Sequence, residues 1–156
     1  MARFKRLSVE ELVVLKKQFV QFLAAQSILA EDWEKIKSTK PVEADEIIDD
    51  FSDLVYGSVM SEAKYLERKT PRTLYCYQCL SDRFVLIALE VDTDAGIDLS
   101  NLDMAGLKHI STKAQAHVCT TEKPYMKSRE NEIFSMMELG CEITEGAMFK
   151  VLGLLL

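Results

Sequence analysis

"TLYCYQCLSDRFVLIALEV", residues 73–91, is the stretch whose reading decides the fold. Two runs rich in Tyr, Val, Ile and Leu flank the polar connection "SDR" at 81–83. Strand-forming runs joined by so short a polar break predict an antiparallel hairpin. The second arm, "FVLIALEV", is apolar at nearly every position, the pattern of a strand covered on both faces. The segments on either side carry helical periodicity, so the expected class is α+β.

The hairpin also places Cys76 and Cys79 three positions apart, a spacing shared with zinc knuckles and redox dithiols. Side chains alternate faces along a strand. Cys76 therefore falls with Leu74 and Gln78, and Cys79 with Tyr75 and Tyr77. Two thiolates on opposite faces of a sheet cannot close on one metal. A redox dithiol would need to open a helix, whose N-terminus lowers the thiol pKa; here a turn follows. "HVC" supplies His117 and Cys119 as further ligands for a zinc reading of Cys76 and Cys79, but the favoured reading is ordinary strand cysteines.

Upstream, Ser8 and Glu11 form a capping box at a helix start. Leu12, Leu15, Phe19, Phe22 and Leu23 then recur at helical spacing, and this helix is expected to end near Gln26. "AEDWEKIKS" predicts a short second helix, acidic at its start and basic at its end. Pro41 opens a third, in which Ile47, Phe51 and Val59 share one side while Glu46, Asp49, Asp50 and Asp53 occupy the other. Residues 63–69 fit either an extension of that helix or a strand. Downstream, "DTDAGIDLSNLDMAG" reads as a loop and "QAHVCTT" as a weaker strand. "SRENEIFSMMELGCEITEGAMFKVLGLLL" reads as two helices, with Ser128 capping the first, Gly140 ending it and Thr144 starting the second. The expected architecture is N-terminal helices packed on a small, mainly antiparallel sheet, followed by a C-terminal helical hairpin. Residues 1–156 are expected to form one globular domain.

A 48% hydrophobic content supports a buried core. The net charge of −6 opposes binding to a phosphate backbone. Residues 1–62 carry −4, 63–129 carry +2 and 130–156 carry −4, so only the middle third suits an anionic partner. "MARFKRLSVEEL" lacks the apolar core of a signal peptide. No segment reaches the ~18 apolar residues that span a bilayer. With four cysteines and no targeting signal, the expectation is reduced thiols in the cytoplasm, with neither membrane nor nucleic acid as partner.

Four further patterns invite chemistry. Glu46, Asp50 and Asp53 at i, i+4 and i+7 can line one helical ridge, with Glu43 a turn earlier. Helical pyrophosphohydrolases hold Mg²⁺ on such arrays, but they need a second acidic helix, for which only Glu10, Glu11, Glu31 and Glu34 are available. A solvated helix face is preferred. Asp92, Asp94, Asp98 and Asp103 suggest a calcium loop, yet the closing bidentate Glu is missing and a strand precedes it. Gly140 between two short helices suggests a helix-turn-helix. Met136 and Gly146 stand where that motif wants a small and a β-branched residue, and Lys150 is the lone base of the second helix. His109 and His117 lack a nucleophile at motif spacing, and no phosphate-cradling glycine fingerprint is present. No cofactor is expected.

"ARFKRLSVEEL" at 2–12, "FVQFL" at 19–23, "EDWEKIK" at 31–37 and "LGCEITEGAMFKVLGL" at 139–154 together resemble a family of short bacterial proteins of unknown function. The likeness covers nearly the whole chain and implies one indivisible domain, with no activity, ligand or catalytic residue attached. The favoured function is therefore a non-enzymatic cytosolic module that works by protein contact, as a homodimer or with another protein. A small metal-dependent enzyme using the acidic helix 43–53 is the alternative, and a helix-turn-helix nucleic-acid binder a remote one. The interface is expected at the apolar C-terminus, where Met148, Leu152 and Leu155 share a stripe that docks partly on the hairpin and partly on a second copy.

Overall fold

The computed structural model describes residues 1–110 and 116–156. These divide into two compact units, Met1–Val59 and Met60–Leu156, taken in turn.

The N-terminal unit is helical. Its first residues run as a strap along the long helix that closes the unit. The amides of Arg3 and Phe4 donate to Asp53 (2.8 and 3.2 Å to Oδ1), and the amide of Leu7 donates to Ser52 Oγ at 2.9 Å. Ser8 then caps α1 (Val9–Val14), with the reciprocal Ser8–Glu11 bonds of the expected capping box at 3.1 and 3.0 Å. The single helix expected from Ser8 to Gln26 is divided at Leu15 (φ −96°, ψ 17°), and α2 (Lys16–Ala25) continues beyond it. The β-branched pair Val13–Val14, with low helix propensity, sits immediately before that break. Past α2, Ser27 adopts φ 62°. The amides of Ser27 and Ile28 donate back to the carbonyls of Ala24 and Leu23, a Schellman closure in which serine holds the left-handed position usually given to glycine. α3 (Ala30–Thr39) has the expected charge polarity, Glu31 and Asp32 first and Lys37 last. α4 (Pro41–Glu62) starts on its proline and buries Ala44, Ile47 and Phe51. Phe51 lies 5.0 Å from Phe19 and 5.3 Å from Phe22, and Phe19 meets Trp33 edge-on at 5.2 Å. Phe51 is buried beneath these half-buried rings, beside Leu23, Ala44 and Ile47 of the unit's core.

The second unit is built on a five-stranded antiparallel sheet. Residues 63–69, left open between helix and strand, contain β1 (Tyr65–Lys69). The hairpin is present as β2 (Thr73–Cys79) and β3 (Arg83–Val91), with Cys76 opposite Ile87 and Cys79 opposite Phe84. The expected loop runs only to Asp103, where α5 (Met104–Ile110) begins. The weaker strand candidate is β4 (Ala116–Pro124), longer than expected; its anticipated first residue, Gln115, lies outside the described residues. α6 (Arg129–Glu138) has its Ser128 cap, and Gly140 (φ 103°) follows its last turn. The segment between the two C-terminal helices departs from expectation. It is not a helical turn but β5 (Glu142–Thr144), which pairs Ile143 with Leu66 of β1, and α7 (Ala147–Gly153) starts from Gly146 rather than Thr144. A helix-turn-helix is thereby removed, because a strand occupies the turn.

The sheet order is β4-β3-β2-β1-β5. On one face Leu74, Cys76, Ile87 and Leu89 pack with Leu107 of α5 and with Met148 and Leu152 of α7. Gly146 is required where it sits. Its φ is 82°, and a Cβ there would lie 2.5 Å from the Tyr65 ring. The α+β class and the mainly antiparallel sheet thus hold for the whole described chain.

Candidate functional site

An apolar concavity lies within the N-terminal unit. Val9, Leu12, Val13 and Lys16 recur at i, i+3, i+4 and i+7 and form one wall of a groove of about 650 Å³. Phe19, Val20 and Trp33 line it further along. Val9 is 73% exposed, Val13 69% and Val20 53%, while Leu23 at the base is buried. Two cations stand on the rim, in different states. Lys37 pairs with Glu34 at 2.9 Å and lies over the Trp33 ring. Lys16 has no hydrogen-bond or ion-pair partner among the described residues. The groove holds no nucleophile beside a base; it offers apolar walls and one unengaged ammonium.

The acidic ridge of α4 is put to other use. Asp53 accepts from the backbone of the N-terminal strap, and Glu43 faces Lys40 at 3.8 Å. Glu46 and Asp50 are not brought against a second acidic helix: Glu11 caps α1 and Glu34 pairs with Lys37. Among the described residues no group of three or more His, Cys, Asp or Glu side chains is placed to hold a metal ion. The residue that matters most here is one assigned to the solvent face. Asp49 is buried and accepts from Arg6 at Nε (2.6 Å) and Nη2 (3.0 Å). That bidentate bond lowers the Asp49 pKa and raises that of Arg6. A stripe of Asp45, Asp49, Ser52 and Asp53 facing a basic strap was the sequence signal for it.

The cysteines are held apart. Register and alternation place Cys76 on the face of the α5–α7 core and Cys79 on the face of Phe84. Burial is the main cause pushing the Cys76 thiol up to about 12 and that of Cys79 up to about 11, the reverse of what a metal ligand or redox thiol needs. Cys119 lies opposite Ala88 on the far side of β3, and His117 Nε2 donates to Asp92 Oδ1 at 3.1 Å. Cys76, Cys79, Cys119 and Cys141 are all free. The aspartate loop is also locally engaged. Asp98 accepts from the Ser100 amide at 2.9 Å, and Asp103 accepts from Gly106 at 2.7 Å, opening α5.

At the C-terminus, Met148 and Leu152 lie in the unit's own core, and of the expected stripe only Leu155 keeps substantial exposure, at 44%. Leu154 and Leu156 are exposed beside it. One residue unremarked in the sequence organises this unit. The Arg129 guanidinium donates to four backbone carbonyls: Leu80 (3.2 Å), Met60 (2.9 Å), Cys79 (3.3 Å) and Ala63. It thereby gathers the last turn of α4, the hairpin turn and the start of α6 around one planar fork.

Among the described residues no helix is long and apolar enough to cross a membrane. No curated protein and no solved structure matches the chain. A family model does, over residues 1–156, and its description is "Family of unknown function (DUF6495)". With the match extending over the full chain, the protein belongs to that family.

Proposed function

We propose that the chain is a protein-contact module rather than a catalyst, and that its N-terminal groove receives the apolar face of a protein partner. The observation that carries this reading is the exposure of Val9, Val13 and Val20 along a trough whose base is apolar. Contiguous apolar surface of this kind is costly in water and marks interaction sites. An open trough between helices suits an amphipathic helix, which is read through side chains at helical spacing. The reading sets the protein in the cytoplasm, a setting supported by its four free cysteines. It also excludes nucleic acid as the partner, supported by the net charge of −6.

A photo-crosslinking residue at Val13, compared in cells with the same residue at exposed Thr121, tests it. A discrete protein adduct is expected from the Val13 position and not from Thr121. Equal labelling from both positions, or none from Val13, would overturn the reading.

A further inference from the structure

We infer that the occupant of the groove is a second copy of this chain, docked antiparallel about a two-fold axis beside Val13. The inference rests on the proposed reading of the groove and adds the partner and its register.

The argument is one of charge order along a single surface. α1 carries Glu10 and Glu11 in its first turn, and Lys16 and Lys17 open α2 one residue past its end, across Leu15. Glu11 is engaged in the capping box, whereas Glu10 and Lys16 have no ion-pair partner among the described residues. Val13 lies midway, three residues from each, and is one of the most exposed apolar side chains of the groove wall. A surface acidic at one end, apolar in the middle and basic at the other is complementary to itself when reversed. Parallel docking would set Glu10 against Glu10 and Lys16 against Lys16. Antiparallel docking sets Val13 against Val13 and each Glu10 against Lys16 of the other copy. A two-fold axis perpendicular to α1 at Val13 makes that reversal within a closed dimer, and like-charge juxtaposition selects against the parallel alternative.

The same groove supplies the apolar area. Val9 and Val20, exposed on either side of Val13, flank the axis and become covered. The two ion pairs, each between a Glu10 outside the groove lining and a Lys16 on its wall, set register and orientation more than strength.

Sedimentation equilibrium of the purified full chain tests this. The parent is expected to show a monomer–dimer equilibrium. Val13→Asp, at a site too exposed to disturb the fold, is expected to abolish it. Glu10→Lys and Lys16→Glu each replace two symmetric attractions by repulsions and are expected to weaken association about tenfold or more. The double variant, Glu10→Lys with Lys16→Glu, restores opposite charges and is expected to recover the parent's association. Circular dichroism confirms that each variant is folded. A parent that stays monomeric, a dimer indifferent to Val13→Asp, or a double variant no better than the single ones would overturn the inference. The reading of the groove is separable from it: a Val13 adduct with a different protein sustains that reading while a monomeric parent removes the second copy.

Discussion

Asp49 and Arg6 face each other through two parallel hydrogen bonds, 2.6 Å to Nε and 3.0 Å to Nη2, so that a buried carboxylate in the middle of α4 fastens the strap that precedes α1. The bond lowers the folded-state pKa of Asp49 below its ordinary value. Its contribution is therefore full above the unfolded pKa, near 4, and is lost as pH falls through the folded value. Asp49→Asn is expected to cost about 1–2 kcal/mol at neutral pH, because Arg6 is half exposed and the loss is partly screened. Melting curves from about pH 7 to about pH 2 check the sign. The gap between parent and variant should close in acid, and a gap independent of pH would refute the assignment.

Ser27 bears a left-handed backbone at φ 62° without glycine's freedom. Ser27→Gly relieves a strain of about 1 kcal/mol while keeping the closure onto Leu23 and Ala24. The expected outcome is a higher melting temperature, and a lowered one would show that the serine side chain supplies something the glycine cannot.

Gly146 is the opposite case. A methyl group there meets the Tyr65 ring at 2.5 Å on a backbone with φ 82°. Gly146→Ala is expected to destabilise by about 2–4 kcal/mol, from strain and displacement together. Amide exchange should rise first in β5 and α7. Unchanged protection in both would mean that the ring yields at little cost.

Thiol labelling at neutral pH should distinguish the cysteines. Cys119 is exposed, whereas Cys76, Cys79 and Cys141 are buried with raised pKa values. One thiol per chain is expected to react quickly in the native state and four after denaturation. A second fast thiol would mean that the sheet opens locally.

The hairpin was legible because both signals for it are strong: β-forming residues in two runs, and a polar break too short for anything else. β1 was not, since "YLERK" alternates with charge and follows a helix without a glycine or proline stop. β5 has three residues, fewer than any periodicity can register, and draws its strand character from Leu66 opposite Ile143, a partner distant in sequence. The groove escaped for a different reason. The stripe of Leu12, Leu15, Phe19, Phe22 and Leu23 satisfied the expectation of one buried face, and Val9, Val13 and Val20 had no place in it. A second apolar stripe on one helical segment was the signal. Asp49 escaped because a carboxylate among carboxylates reads as solvent-facing until the arginine it meets, 43 residues earlier, is known.

The carbonyls collected by Arg129 come from positions 49 to 69 residues before it. The β2–β3 hairpin needs only its own turn and can form within microseconds of collapse. The guanidinium clamp cannot close until a loop of that length has been drawn in, and the entropy of doing so is lost before the bonds compensate. Time therefore separates the two halves of the second unit. The hairpin is expected to form early and α6 to lock onto it late, so that a chain arrested partway would hold a finished hairpin whose turn carbonyls still face water.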